Sequence, residues 1–397
     1  MNEMKAISDP GKPLRVLFAI TDLGKGGAER FLLDLCRAFE RLGGVEFQIA
    51  ALYDNNGYRE LSVGIPIVQL DYQTFSLRRP APNVRWARLL DEFAPHVVHS
   101  HRFLGEFITA QSVRPQIAYV CHGHDNMVQL AKPTFATFLD RKKLVNWLER
   151  RHLIRHKYRL ARTSFVANSE HTLEYYKSVL PAWMREDVRL LHYGFDYRRF
   201  LAPSPRTVRP GQPIRLVNVG SFVDKKNQQL AIRTVGELRG RGMDVGLELL
   251  GDGPNRGLLQ ALTDDLGLSD RIHFRGNVEW VEDYLRKADI YLHTATYEPF
   301  GLVLLEAMAA GLPCVIRDGQ GDRELIVEGK NGFLLTGDDP VLYADRIQRL
   351  MTDPETYAPM SVFAQGFAGG FDINRAAQRF VDLYIERCAR ARTAVQS

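Results

Sequence analysis

Short apolar runs alternate with longer stretches in which apolar residues recur every three or four positions, and the alternation continues along the whole chain. In the first half the strand-like runs are Val16–Ile20, Phe47–Leu52, Ile67–Leu70, Val97–His99, Ile117–Cys121, Phe165–Ala167 and Val188–Leu191, separated by helical patterns such as Glu29–Leu42 and Asn83–Phe93. In the second half they are Ile214–Val219, Gly246–Leu250, Ile272–Phe274, Ile290–His293, Cys314–Ile316 and Gly332–Leu335. Runs with few polar interruptions predict strands buried on both faces, and the helical stretches between them supply the crossovers that parallel strands need. The pattern predicts an α/β chain with two doubly wound parallel sheets, one in each half.

A Pro-rich stretch of low apolar content, from Ala202-Pro203-Ser204-Pro205 to Gln212-Pro213, separates the halves and predicts a linker over 202–213. The domains expected are then 1–201 and 214–372, which divide 397 residues into two units of ordinary size. The segment from Ile373 reads as a terminal helix with Ala376, Phe380, Leu383 and Tyr384 on one face. Cys36, Cys121, Cys314 and Cys388 are far apart and lack metal-ligand spacing, so reduced thiols are expected. Met1 to Pro13 has no long apolar run, and no stretch reaches the twenty or so apolar residues a membrane span requires. A cytoplasmic protein is expected, either free or peripheral on the inner face of the cell membrane.

The net charge of +5 is unevenly spread: residues 1–200 are basic and the remainder is net acidic. The richest run is Arg141, Lys142, Lys143, Arg150, Arg151, Arg155, Lys157, Arg159 and Arg162, opposed only by Glu149 and interleaved with Leu144, Trp147, Leu148 and Leu153. Such a helix suits an anionic bilayer surface, and equally a solvated protein face. Nucleic acid is not expected as a partner, because no recognition module accompanies the charge.

Candidate chemistry concentrates in Glu298-Pro299-Phe300-Gly301-Leu302-Val303-Leu304-Leu305-Glu306, where two carboxylates flank a wholly apolar segment. The segment predicts a buried helix that starts at Pro299 and stops at Gly311. A carboxylate at Glu306 inside it calls for a polar partner, and Glu298 stands where free backbone N–H groups and the helix dipole favour an anionic ligand. A buried carboxylate capping a neighbouring loop is the purely structural alternative.

This Glu–seven residues–Glu pattern, with Pro-Phe-Gly after the first Glu, resembles the retaining glycosyltransferases of family four, which have the two-domain GT-B architecture. Gly26-Gly27-Ala28-Glu29, Val219-Gly220-Ser221-Phe222 with Lys226-Asn227, Gly251-Asp252-Gly253-Pro254 and Phe274-Arg275-Gly276 extend the resemblance over nearly the whole chain. It implies two Rossmann-like domains facing a deep cleft, with the terminal helix packing back on the first. The activity implied is transfer of a hexose or N-acetylhexosamine from a nucleotide-diphosphate sugar, UDP-linked by preference, to a hydroxyl of a glycan or lipid-linked acceptor. A catalytically silent sugar-nucleotide-binding subunit or a nucleotide-sugar epimerase are the alternatives on the same architecture.

Residue by residue, the resemblance implies Glu298 and His122 at the reacting sugar and Glu306 on the ribose. Lys226 and Ser221 fall on the diphosphate, where Ser221 replaces the family's usual arginine. Phe300, Gly301 and Leu302 offer amides to the sugar, and the loops at Gly251 and Val278 frame the base. Gly26 and Gly27 form a bare loop that approaches the donor; a plain helix-start turn is the alternative. That loop is no dinucleotide fingerprint, since Glu29 occupies the third glycine's place, and no Walker A sequence exists. No cofactor is therefore expected. His99, His101 and His124 fall on the acceptor side. Four histidines with Asp125 also raise a zinc site, against which stand their two separate strand ends; no metal is expected, in line with the lack of an Asp-x-Asp pair.

Overall fold

The structure, a computed structural model, describes residues 13–70, 83–208 and 211–396. The reading of the N-terminus falls on residues 1–12 and part of the expected linker on 209–210, and both lie outside the described residues. The chain divides into two compact units, one ending at Gly194 and taking in the terminal helix from Ile373, the other running from Phe195 to Asp372.

The first unit has a seven-stranded sheet of β1 (Leu14–Ile20), β2 (Val45–Ala51), β3 (Ile67–Gln69), β4 (Val97–His101), β5 (Ala118–Gly123), β6 (Ser164–Ala167) and β7 (Val188–Leu190). Its order is β3-β2-β1-β4-β5-β6-β7, and every pair is parallel. Leu17, Val98, Tyr119, Trp86 and Leu90 pack into one apolar layer, and Phe107, Phe165 and Tyr176 into another. Each buried leucine there contributes about 1.5–3 kcal/mol by leaving water. The terminal helix Ile373–Gln396 packs on β5 and on the helix Gly27–Leu42.

The second unit has a six-stranded sheet of β8 (Ile214–Val219), β9 (Val245–Leu250), β10 (Ile272–Gly276), β11 (Ile290–His293), β12 (Cys314–Arg317) and β13 (Gly332–Leu335), in the order β10-β9-β8-β11-β12-β13. It too is parallel throughout. All thirteen apolar runs became strands, with ends that differ by a residue or two, as expected where strands fray into loops. β4 is longer than the apolar run suggests and carries His101 inside the sheet.

The stretch expected to be a linker is stitched to the second unit over its described part. Ala202 N–H donates to the carbonyl of Ala309 at 3.1 Å, and Arg206 N–H to Ser361 Oγ at 2.8 Å. The Arg206 guanidinium donates to the carbonyls of Ala310 (2.9 Å), Leu285 (3.0 Å), Ala288 and Arg286. These carbonyls end the helices Val281–Lys287 and Leu302–Ala309, which lack intrahelical partners there. One charged side chain thus fastens a segment whose composition reads as loose.

The four cysteines are buried and free, as expected. No described helix is long and apolar enough to cross a membrane.

Candidate functional site

In the second sheet the strand order reverses between β8 and β11, and open α/β sheets bind ligands outside the carboxyl ends of the strands at that point. β8 leaves through Gly220 and Ser221 into a short turn, Asp224–Lys226, while β11 leaves through Thr294 to Glu298. The two loops are tied together: Thr294 Oγ1 donates to the Lys226 carbonyl at 3.0 Å and Thr296 N–H to the Lys225 carbonyl at 2.8 Å. The ties bring Lys226 Nζ onto Glu298 Oε2 as an ion pair whose side chains are only 19% and 13% exposed. The Glu298 backbone is clamped as well, its N–H donating to Gly319 at 2.8 Å and its carbonyl accepting from Gly321 at 3.1 Å.

Two further groups stand behind Glu298. His293 Nε2 lies 3.7 Å from Glu298 Oε2 and 3.5 Å from Asp322 Oδ2, and Asp322 Oδ1 accepts from Gly319 N–H at 2.9 Å. Burial works to raise the Glu298 carboxyl, but Lys226 and His293 hold it below the ordinary range, so it stays ionised. Burial, helped by the Glu298 charge, pushes Asp322 up to about 8, and burial lowers His293 to about 4. At neutral pH the cluster therefore holds a protonated Asp322, a neutral His293 and one carboxylate facing one ammonium. Sequence reasoning missed His293 and Asp322. The signals available were a histidine at the last position of β11 and an aspartate after Gly319-Gln320-Gly321 beyond β12.

The helix after Glu298 spans Leu302–Ala309, later than the expected start at Pro299. Gly301 precedes it at φ 97°, a left-handed turn that suits glycine and leaves Pro299 and Phe300 outside the helix. No side chain caps the first turn, so its positive dipole end is left without a side-chain acceptor. Leu304, Leu305 and Ala307 to Ala309 are buried, whereas Leu302, Val303 and Glu306 are half-exposed. The expectation of a buried Glu306 is thus corrected: residues three and four apart share a face, and this face is open. Ser221 is exposed beside the β8 loop and Val278 half-buried after β10. Gly251 holds the β8 and β9 loops backbone to backbone; its φ is +140°, and a Cβ there would sit 2.1 Å from the Gly220 carbonyl oxygen.

In the first unit the matching reversal lies between β1 and β4. Gly26 precedes the helix Gly27–Leu42 and accepts at its carbonyl from Arg30 N–H and Tyr58 Oη, each at 3.0 Å. Arg102, directly after β4, donates to Glu29 at 2.7 Å.

The histidines lie deeper. In register, His101 pairs with His122, and His99, His101 and His122 share one sheet face. All three are sealed from solvent and His124 nearly so. Phe31 and Phe380 pack within 5.4 Å of the His122 ring centroid. The expectation that His122 projects from a strand end is corrected: β5 runs on through Gly123, and the terminal helix covers that face. His99 Nδ1 meets Tyr384 Oη at 2.7 Å, His101 Nδ1 meets His124 Nε2 at 2.8 Å, and His124 Nδ1 meets Tyr193 Oη. Burial holds all four imidazoles far below the usual histidine range, His101 at about 3, so they are neutral. Among the described residues, His99, His101 and His122 are the group whose ring nitrogens, within 4.8 Å of one another, could converge on a metal ion.

The basic run is not a uniform face. Lys157 is fully buried and pairs with Glu106 at 2.5 Å. Arg150 spends its guanidinium on the carbonyls of Leu130 and Val179, both at 3.0 Å.

Residues 204–366 match the family described as Glycosyl transferases group 1, and residues 25–199 match Glycosyltransferase Family 4. The lipopolysaccharide core biosynthesis glycosyltransferase LpsD of Rhizobium meliloti is 25% identical over 376 residues, covering 91% of this chain and 94% of that protein. LpsE of the same organism is 33% identical over 171 residues, 43% of this chain and 49% of LpsE. Among solved structures, HepE of Anabaena in complex with UDP and glucose superposes with a TM-score of 0.75 at 22% identity, covering 93% of this chain and 99% of HepE. WaaG, a glycosyltransferase involved in lipopolysaccharide biosynthesis, superposes at 0.67 and 17% identity, with 93% and 99% covered. At these identities the superpositions speak for the fold.

Proposed function

Because the chain belongs to the group 1, family 4 glycosyltransferases, enzymes of GT-B fold, we propose that it moves a hexose or N-acetylhexosamine, with retention of configuration, from a UDP-sugar to a hydroxyl of a glycan or lipid-linked acceptor. The observation that carries this reading is the Lys226–Glu298 pair at the switch point of the second sheet. A diphosphate arriving there takes the Lys226 ammonium as its counter-charge, and Ser221 donates a hydrogen bond beside it. Glu298, relieved of its lysine, accepts from the sugar hydroxyls together with the amides of Phe300, Gly301 and Leu302. Glu306, on the open face of the same helix, accepts from the ribose, and the Gly251 and Val278 loops border the base.

Transfer follows a front-face path. The bond from the anomeric carbon to the diphosphate oxygen breaks, the acceptor oxygen bonds to that carbon on the same side, and its proton passes to the departing phosphate oxygen. Glu298 orients the sugar and stabilises positive charge on its ring without forming a covalent adduct. Charge neutralisation by Lys226 and helix amides lets the diphosphate do without a divalent metal. Lipopolysaccharide-type synthesis is the setting favoured by LpsD, whose length this chain matches almost entirely.

The test is a panel of nucleotide sugars scored for hydrolysis and for thermal stabilisation of the protein. A UDP-sugar should do both, and Glu306→Gln should weaken UDP binding about tenfold by removing a charge-assisted hydrogen bond. Indifference to every nucleotide sugar would overturn the reading.

A further inference from the structure

After β5 the chain makes two short turns, Val128–Leu130 and Phe135–Thr137, before the helix Arg141–Leu153. The second turn is closed by a reciprocal box in which Thr134 N–H donates to Thr137 Oγ1 at 2.8 Å and Thr137 N–H to the Thr134 carbonyl at 2.9 Å. Leu130 and Thr137 are buried, and Arg150 ties the Leu130 carbonyl to the helix. Held this firmly, the segment nevertheless turns its largest apolar side chains outward: Phe135 is 85% exposed, Leu139 77% and Phe138 59%. Single exposed apolar residues are ordinary, but three within five residues on an ordered turn mark an interaction site. Lys132, Arg141, Lys142 and Lys143 are exposed around them. Asp140, the lone acid among these residues, is occupied in capping the helix, accepting from the N–H groups of Lys142 at 2.8 Å and Lys143 at 3.0 Å.

We propose that this turn is a membrane-docking wedge: Phe135, Phe138 and Leu139 enter the interfacial layer of an anionic bilayer, and Lys132, Arg141, Lys142 and Lys143 meet its phosphates. Apolar side chains ringed by long cationic ones match that layer in both its parts, the acyl boundary and the headgroups. A second copy of the chain fits less well, because an isologous contact through the wedge would set these cations against their own counterparts. The wedge lies ahead of most of the basic run from Arg141 to Arg162 and does not use its buried or committed members, Lys157 and Arg150. The inference rests on the proposed function only in that a docked enzyme would meet a lipid-linked acceptor at the surface.

The experiment is sedimentation of the full chain with vesicles of phosphatidylcholine alone or mixed with phosphatidylglycerol. Binding to the mixed vesicles is expected, weakening as salt shortens the screening length to about 8 Å at physiological strength. The double variant Phe135→Ser with Leu139→Ser should bind more than about tenfold less tightly to the mixed vesicles. Lys142→Gln and Lys143→Gln should each cost roughly fivefold on the anionic vesicles only. Melting temperature and nucleotide-sugar hydrolysis should stay at wild-type values in every variant. Wild-type protein that ignores anionic vesicles at low salt overturns the proposal. So does a double serine variant that binds like wild type, or a wedge that instead holds a dimer broken by Phe135→Ser. Vesicle binding without hydrolysis of any nucleotide sugar would leave the wedge standing and count against the glycosyl-transfer reading alone.

Discussion

At the switch point of each sheet an ion pair joins the segments that follow the two parting strands, yet the pairs are built differently. In the first unit Arg102 meets Glu29, and burial raises the Glu29 carboxyl despite the guanidinium beside it. The groups next in line are neutral histidines packed among phenylalanines and tyrosines. In the second unit Lys226 meets Glu298, which its neighbours keep ionised, and a protonated Asp322 stands by. The same topology therefore yields one crevice whose carboxylate and histidines are sealed into packing beneath an exposed guanidinium, and another that keeps an ionised carboxylate beside an uncapped helix and the open face of Glu306. The charge state of a glutamate beyond a strand is set by what surrounds it.

The largest effect should come from exchanging the two glutamates' charges in turn. Glu298→Gln should lower turnover on the order of a hundredfold while UDP affinity holds, since the proposed function places that charge on the transferred sugar. Glu29→Gln should cost about 1–2 kcal/mol of stability, read as a urea midpoint, and change turnover of the folded enzyme by less than about tenfold. A reversed ranking would mean that the working crevice is the first one.

Acid should separate the units next. The buried histidines have folded pKa values below the ordinary 6.5, about 3 for His101 and about 4 for His293, so only the unfolded chain takes up the proton between those limits. Their stabilisation is present above pH 6.5 and is withdrawn as pH falls below it, because the unfolded chain takes up protons that the folded chain refuses. With four such histidines against one, β4 and β5 should lose hydrogen-exchange protection before β11 as pH falls. Simultaneous loss would remove the distinction.

A smaller effect of opposite sign belongs to Asp322. Its folded pKa of about 8 exceeds the ordinary 3.8, so the folded chain alone holds the proton in that window. Stability from this group is present at low pH and declines as pH rises toward 8. Asp322→Asn should accordingly raise the melting temperature by a few degrees in alkaline buffer and leave it unchanged near the acid limit. A gain that is equal at both ends would assign the effect to packing. The smallest expected change is none: excess chelator should leave turnover intact, and loss restored by magnesium would put a metal at the diphosphate.

The amino-acid pattern alone determined the two parallel sheets, because continuous apolar runs separated by helical periods have few other ways to bury themselves. It also marked Glu298, Lys226 and Glu306, since a carboxylate or an ammonium in such surroundings needs a reason. Tertiary structure decided what local pattern does not encode. Arg206 turned a Pro-rich stretch into part of the second unit by satisfying carbonyls at the ends of two helices. The terminal helix, remote in sequence from β5, closed over His122, and the β12–β13 connection carried Asp322 to His293 beside Glu298. Helical periodicity reports a neighbour three or four residues away; it is silent about one brought in from the far end of the chain. Burial and charge state belong to that second kind of neighbour, which is why the chain's residues announced the crevice and only its folding settled which groups in it are ionised.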